Sequence, residues 1–131
     1  RRRPFRHAGG YLTGPKYSLP EHERRFLVAT PPTLDGPGRL VQDRYLHGTR
    51  LRLRRETAGE RTVCKLGCKY GASALGVEPI TNLYLTVEEH GLLMPLPGAD
   101  LVKHRHDVWA DGVRFVLDVF AGALAGHMIA E

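Results

Sequence analysis

The chain has 131 residues, of which 42% are hydrophobic and 25% are charged. This length accommodates one domain with a core, and the ordinary composition excludes collagen, coiled coils and wholesale disorder. No stretch reaches the roughly 18 apolar residues of a membrane span, because the most apolar one, 115–130, is interrupted by Asp118 and His127. We therefore expect no membrane partner, and the lack of a signal-peptide pattern favours a cytoplasmic location.

The net charge of +5 is concentrated near the N-terminus. Four arginines within residues 1–6 supply most of it, and the rest of the chain has 15 basic and 14 acidic residues. A nucleic-acid partner is therefore not predicted from the overall charge. Residues 1–20, rich in glycine and proline, are interpreted as a flexible basic leader, and the domain is predicted to occupy 21–131.

The first predicted strand covers 21–28, with the sequence EHERRFLV, and a loop rich in proline and glycine follows it over 31–38. The next strand, 49–55, alternates strictly between two residue types. Arg50, Arg52 and Arg54 share one face, and leucines share the other. Gly59 marks a turn into a strand over 61–70, on which Lys65 and Lys69 share a face, so the two strands are predicted to form a hairpin.

The second half of the chain also reads as strands. A strand over 81–85 precedes a short helix, which Thr86 and Glu89 open as a capping box and which ends before Pro95. A strand over 101–108 carries Lys103 and Arg105 on one face. Asp111 and Gly112 then form a turn into a strand over 113–120 that contains Asp118. The elements predict a mostly antiparallel β domain with little helix.

Cys64 and Cys68 lie four residues apart on one predicted strand. At strand rise their positions are about 13 Å apart, which is too far for a disulfide. No second cysteine pair exists to complete a zinc site, so both are expected to be free thiols.

The alternating arginines allow two interpretations. Considered alone, the strand over 49–55 favours arginines in solvent and leucines in the core. If the lysines and arginine of two other strands converge with them inside the fold, their desolvation requires anions, and a polyphosphate is an anion of that kind. Arginine suits forked contacts with phosphate oxygens, whereas lysine supplies a mobile charge.

Six motifs of the chain occur together in the order typical of one family. They are EHERRFLV, then YL followed by TRLRLR, then KLGCK, then YLTVEE, then LVKHR, and finally LDVFAG with Ala130 and Glu131 at the end. From residue 21 onward the chain thus resembles the CYTH domains, the triphosphate tunnel metalloenzymes. The resemblance implies a closed antiparallel barrel of about eight strands with short flanking helices, whose polar bore holds a triphosphate and Mg²⁺ or Mn²⁺.

The resemblance also implies roles for particular residues. It places the metal on Glu21, Glu23 and Glu131, and it gives Glu21, Glu23 and Asp118 a catalytic role through metal and water positioning. The implied triphosphate-binding residues are Arg25, Arg50, Arg52, Arg54, Lys65, Lys69, Lys103 and Arg105. Paired carboxylates are the oxygen ligands that hard divalent cations favour.

Some positions depart from the family pattern. Arg25 stands where the family usually has lysine, Val116 stands where many relatives have glutamate, and Glu78 alone represents an acidic pair. Relatives also continue past the position of Glu131 to a second late glutamate, so the chain is expected to be a fragment.

The leading hypothesis is a metal-dependent triphosphatase acting on inorganic triphosphate or a small organic triphosphate. Two alternatives stay open: an adenylate cyclase of the class IV type, and a module that binds polyphosphate without turnover. The sequence leaves the oligomeric state open, with a homodimer possible.

Overall fold

The computed structural model describes residues 14–72 and 76–131. Within these ranges the chain forms one antiparallel sheet of nine strands with one α-helix. The strands are β1 (Leu19–His22), β2 (Phe26–Leu27), β3 (Arg39–Leu46), β4 (Leu51–Ala58), β5 (Arg61–Lys69), β6 (Val77–Leu85), β7 (Gly98–Ala110), β8 (Val113–Ala121) and β9 (Met128–Ala130). The helix, α1, is Val87–Leu93, and a short 3₁₀ turn follows β8 at Gly122–Leu124.

The spatial order of the strands is β1-β6-β5-β4-β3-β7-β8-β9-β2. The two predicted hairpins are confirmed, since β4 pairs with β5 around Gly59 and β7 pairs with β8 around Asp111 and Gly112. Both turns use left-handed backbone, with φ of 58° at Gly59 and 50° and 74° at Asp111 and Gly112. β3, which lies between these hairpins, was not predicted from the sequence, and the late strand before Glu131, here β9, had no predicted bounds.

The sheet is strongly curled. Its edge strands, β1 and β2, are consecutive in the chain and are separated only by residues 23–25. Nine strands laid flat would place these edges about 38 Å apart at a spacing of about 4.8 Å. The chain from His22 to Phe26 spans at most about 14 Å. The sheet must therefore curve until its two edges come close together, which makes one face concave.

Two predictions about this region need correction. The predicted closed barrel of about eight strands is instead a nine-stranded sheet that hydrogen bonds do not close, because β1 pairs with β6 and β2 pairs with β9 rather than with each other. The predicted strand over 21–28 is also broken into β1 and β2. The physical reason is the same in both cases: the chain leaves one edge of the sheet at His22 and joins the opposite edge at Phe26.

The first strand overlaps the predicted leader. β1 begins at Leu19, so the last two residues of the predicted leader belong to the sheet. Residues 1–13 of that leader lie outside the described residues.

The helix packs on β4, β5 and β6, on the convex face. Thr86 and Glu89 form the predicted capping box, with bonds of 3.1 Å from Glu89 N to Thr86 Oγ1 and 2.8 Å from Thr86 N to Glu89 Oε1.

On β4 both faces are buried, since Leu53 is 0% and Arg54 is 6% exposed. Cys64 and Cys68 are free thiols, with Cys64 buried. In the described parts of the chain, no helix has the length and apolar character needed to cross a membrane.

Candidate functional site

The concave face of the sheet encloses a cavity of about 510 Å³. Its wall is built from β1, β3, β4, β5, β6 and β7, together with the segment 23–25 that links the two sheet edges and Glu131 after β9. The volume lies within the range of small-molecule sites in proteins.

All eight cations predicted to bind triphosphate line this one cavity. They are Arg25, Arg50, Arg52, Arg54, Lys65, Lys69, Lys103 and Arg105. Strand alternation puts those of β4, β5 and β7 on the concave face, and the curl of the sheet turns these faces toward one another. The interpretation that places the arginines in solvent is wrong for β4, because the side chains of Arg52 and Arg54 are only 19% and 7% exposed.

Arg54 is held by a buried carboxylate that was not among the predicted site residues. Asp43 on β3 is the cross-strand neighbour of Arg54, and its two oxygens accept hydrogen bonds from Nε and Nη2 at 2.7 and 2.8 Å. Burial disfavours the charged form of Arg54, but the bond to Asp43 outweighs it and raises the pKa of Arg54. In the sequence Asp43 lies within the polar run QDR, and only the β3–β4 register reveals its partner.

Asp118 plays a similar part on the other side of the cavity. It is 0% exposed and accepts hydrogen bonds from Lys103 Nζ at 2.7 Å and from Arg105 Nε and Nη2 at 2.8 and 2.9 Å. Burial raises the pKa of Asp118, but the bonds from Arg105 and Lys103 outweigh it, so that its pKa is lowered. Burial also lowers the pKa of Lys103. Asp118 therefore lies beneath two cavity cations and is not itself part of the lining.

Three cations of the lining have no hydrogen bond to a carboxylate within the described residues. Arg50 lies over the ring of Tyr70 at 5.1 Å, and Lys65 lies over Tyr84 at 5.4 Å. Among the described residues, the buried Nε atom of Arg52 has no hydrogen-bond partner, and the nearest carboxylate oxygen, on Asp43, is 4.0 Å away. This wall, formed by Arg50, Arg52 and Lys65, has donors ready for an anion. We call it the basic wall.

The lack of a side chain at Gly67 leaves space for the basic wall. Gly67 lies between Lys65 and Lys69 on β5, directly across from Arg52 on β4. A Cβ at this position would come within 3.0 Å of Asn82 Oδ1 and 3.4 Å of Arg52 Nη2. A side chain here would therefore press on the Arg52 guanidinium. In the sequence, Gly67 is visible only as the glycine of the KLGCK motif.

Carboxylates gather at a different part of the cavity. Lys69 Nζ lies 2.9 Å from Glu21, 3.7 Å from Glu23 and 3.9 Å from Glu78. Glu131 joins this group through Arg25, whose Nε lies 2.7 Å from Glu23 and 3.3 Å from Glu131. We call Glu21, Glu23, Glu78 and Glu131 the carboxylate cluster. All four line the cavity, including Glu78, which had no assigned role.

The pKa values of two cluster members move in opposite directions. Burial raises the pKa of Glu23, but hydrogen bonds with Arg25, Glu131 and Glu21 outweigh it and lower the pKa to about 2. The pKa of Glu131 is raised by its burial and by its bond to the charged Glu23. The two carboxyl groups are thus close enough to compete for one proton.

The carboxylate cluster suits a divalent cation in its chemistry. Its donors are all oxygens, which Mg²⁺ and Mn²⁺ favour, and three of them share the single partner Lys69. Within the described residues, however, no group of three His, Cys, Asp or Glu side chains has the arrangement that holds a metal ion. The cluster is held together by Lys69 and Arg25 in this structure. The donor set fits the metal expected from the resemblance, and its role as a metal site is a proposal.

The balance of charge in the cavity is positive. Eight cations face four glutamates, and the two buried aspartates beneath them leave an excess of two formal positive charges. The excess is concentrated at the basic wall, since the other cations are paired. The two kinds of charge are therefore separated: among the described residues, the free cations lie on β4, just before it and on β5, and the carboxylates lie near the sheet edges.

No family model matches the chain, and neither does any curated protein. Solved structures do resemble it. One is the crystal structure of the hypothetical protein NE1496, with 28% identity, coverage of 86% of this chain and 73% of that one, and a TM-score of 0.50. Another is the crystal structure of the inorganic triphosphatase NE1496, with 29% identity, coverage of 84% and 73%, and a TM-score of 0.51. These similarities support the resemblance to the CYTH domains.

Proposed function

We propose that this protein hydrolyses inorganic triphosphate, or a small organic triphosphate, in the cavity with the help of Mg²⁺ or Mn²⁺. One observation carries the proposal: a single cavity holds the unpaired cations of the basic wall and, apart from them, the carboxylate cluster. A structural neighbour at 29% identity is called an inorganic triphosphatase, which supports the same chemistry. In this proposal the curled sheet acts as a tunnel around the bound phosphate chain.

The basic residues bind and orient the substrate. A triphosphate carries several negative charges along a chain, and cations on β4, β5 and β7 can contact successive phosphoryl groups. Arg52 has an unsatisfied buried donor that a phosphate oxygen would satisfy. Arg54 and Arg105 are held by Asp43 and Asp118, so their geometry exists before the substrate arrives.

The carboxylates would act at the terminal phosphoryl group. Glu21, Glu23 and Glu131 are the proposed metal ligands, and Glu78 lies beside them. A bound divalent cation supplies neutralisation of the phosphoryl oxygens and a place for the attacking water. In hydrolysis the water oxygen forms a bond to the terminal phosphorus, the anhydride P–O bond breaks, and phosphate and diphosphate leave. The proton of the water goes to a carboxylate or to solvent.

The test is phosphate release from inorganic triphosphate, measured with Mg²⁺, with Mn²⁺ and with a chelator. We expect release that needs the metal and falls strongly in Glu21→Gln and Glu23→Gln, with more metal needed for half-maximal rate. Glu60→Gln is the matched control, because Glu60 is exposed in the β4–β5 turn, away from the cavity. No release with either metal, together with measurable triphosphate binding, would contradict the hydrolase.

A binding module without turnover is the second candidate, and the position of Lys69 favours it. Lys69 Nζ lies among three carboxylates, where it already neutralises the cluster without a metal. Calorimetric titration with inorganic triphosphate distinguishes the two functions when it is combined with the release assay. A cyclic nucleotide product from a nucleoside triphosphate would instead indicate the cyclase, for which no residue of the cavity offers specific support.

A further inference from the structure

Asp43 is a buried carboxylate on β3 that stands behind two of the cavity arginines. It is 2% exposed. Its oxygens accept the Nε and Nη2 donors of Arg54 at 2.7 and 2.8 Å, and Oδ1 lies 4.0 Å from Nε of Arg52. Arg52 and Arg54 are two residues apart on the same face of β4, about 7 Å along the strand. One carboxylate therefore moderates the repulsion between two neighbouring guanidinium groups.

The paired hydrogen bonds between Asp43 and Arg54, which we call the fork, leave one edge of the Arg54 guanidinium open. A guanidinium has five N–H donors, and Asp43 takes one from Nε and one from Nη2. The other three, on Nη1 and on the far side of Nη2, make no hydrogen bond within the described residues. Arg54 lines the cavity, so these three donors are the ones that its guanidinium has left for an anion bound there.

The same use of a guanidinium edge occurs on β7. Asp118 accepts hydrogen bonds from Nε and Nη2 of Arg105 at 2.8 and 2.9 Å. Nη1 makes no hydrogen bond within the described residues, and Nη2 also lies 3.8 Å from Glu131 Oε2. Two buried aspartates from different strands, β3 and β8, thus fix two cavity arginines by the same edge. This recurrence indicates that the fork orients the arginine and does more than neutralise its charge.

We infer that Asp43 is a positioning residue, which holds Arg54 with its Nη1 edge toward the cavity and so fixes where a phosphoryl group is bound. The catalytic consequence rests on the proposed function, whereas the fork between Asp43 and Arg54 does not. Without Asp43, Arg54 gains freedom to adopt other rotamers, although the cavity becomes more positive. Attraction of the substrate then persists while its alignment is lost.

The kinetic test compares Asp43→Asn with Asp100→Asn. Asp100 forms an exposed ion pair with Arg44 at 3.0 Å and does not line the cavity, so it is a matched control. For Asp43→Asn we expect kcat for inorganic triphosphate to fall about 10- to 100-fold with no increase in KM, after correction for the folded fraction. Unchanged kcat with a lower KM would show a role of charge alone and would overturn the inference.

A double variant guards against misfolding caused by a lone buried charge. Asp43→Asn combined with Arg54→Gln removes both members of the pair. If Asp43 acts through Arg54, the double variant has the same kcat as Arg54→Gln alone. A further fall in kcat upon adding Asp43→Asn would show that Asp43 acts by another route.

NMR of ¹⁵N-labelled protein follows the Arg54 Nε–H group directly, and this measurement does not depend on enzymatic activity. Its signal is identified by its loss in Arg54→Gln. We expect a signal protected from exchange in the unaltered protein and in Asp100→Asn, and its loss or fast exchange in Asp43→Asn. If the unaltered protein hydrolyses no triphosphate, the proposed function fails and this spectrum still tests the fork. A signal unchanged by Asp43→Asn would overturn the inference even in an active enzyme.

Discussion

Arg52 and Arg54 share one face of β4 but have different surroundings. Arg54 is bound to Asp43 at both oxygens, whereas the buried Nε of Arg52 has no hydrogen-bond partner in the described part of the chain. The sequence alone treats the two arginines as equivalent. The structure separates them into one residue that also stabilises the fold and one that is available to a ligand.

This difference predicts different outcomes for the two substitutions. Arg52→Gln should weaken binding of inorganic triphosphate about 10- to 100-fold, the value of one or two charged hydrogen bonds, with unfolding free energy changed by no more than about 0.5 kcal/mol. Arg54→Gln should also lose about 3 kcal/mol of stability, because it leaves Asp43 buried without its partner. Calorimetry and urea unfolding measure the two effects. Arg44→Gln, on the convex side, is the control, and equal stability of Arg52→Gln and Arg54→Gln would contradict the distinction.

Glu23 makes folding stability depend on pH at the acidic end. Its pKa is lowered from 4.5 to about 2 in the folded protein. A carboxyl group of this kind adds stability above its unfolded pKa, and that stability is lost as the pH falls toward the folded pKa. Asp118, whose pKa is also lowered, acts in the same direction. Glu131, whose pKa is raised, acts in the opposite direction and adds stability only at lower pH.

We therefore expect the thermal unfolding temperature to fall as the pH drops from about 4.5 to about 2, and to fall less steeply in Glu23→Gln. Asp118 remains in the variant, so the decline is reduced and not abolished. Thermal unfolding followed by circular dichroism across this pH range measures the slope. Glu60→Gln should follow the unaltered protein, and parallel curves for Glu23→Gln would show that Glu23 does not contribute.

At the scale of elements, the helix α1 is the clearest case in which a local signal decides a structure. The capping box of Thr86 and Glu89 is visible in the sequence and is present in the structure. The helix has only seven residues, so its own hydrogen bonds barely stabilise it, and its cap and its packing on β4–β6 matter more. His90 is its buried residue, at 7% exposure.

Thr86→Ala should cost about 1 kcal/mol of folding stability, because it removes the acceptor of the Glu89 N–H bond. Since α1 lies on the convex face, triphosphate binding should be unchanged. Urea unfolding and a binding titration measure the two quantities. Glu88→Gln in the same helical turn is the control, because Glu88 has no capping bond. A loss of binding in Thr86→Ala would mean that α1 supports the cavity wall.

Strand prediction succeeded where a pattern was local and failed where it depended on the whole sheet. The alternation over 49–55 and the Asp111-Gly112 turn identified β4, β7 and β8, because side-chain period and turn chemistry act over a few residues. The strand over 21–28 was predicted as continuous, yet it splits between opposite sheet edges. Nothing within those eight residues shows where the sheet ends.

At the scale of the whole molecule, local patterns also fail to predict the candidate site. Each strand reveals which of its residues share a face, but the meeting of these faces in one cavity follows from the curl of the sheet. The resemblance to CYTH domains supplied that step, and the residues alone left solvent exposure as the preferred reading. Asp43 was missed because its meaning lies in its register with Arg54, across a turn and on a strand that had not been predicted.

The two sheet edges are joined through charges as well as through the chain. Residues 23–25 link β1 to β2, and their side chains contact the cavity groups Lys69 on β5 and Glu131 after β9. Edge strands are the least stable parts of a sheet, since each has only one neighbour, and β2 has just two residues. A ligand that occupies the cavity would engage Arg25 and Lys69 and so bring order to both edges.

We therefore predict that inorganic triphosphate slows amide hydrogen exchange in β1, β2 and β9 more than in the hairpin β7–β8 near residue 111. Binding adds about 2.7 kcal/mol of global stability at a concentration of 100 times Kd, which slows exchange by global unfolding everywhere. The edge strands exchange by local opening, so an additional decrease there reports contact with the linking segment. Mass-spectrometric exchange with and without triphosphate measures this, and Arg25→Gln should remove the additional decrease while Arg44→Gln retains it. Uniform protection across the sheet would show that the edges stay open when the cavity is filled.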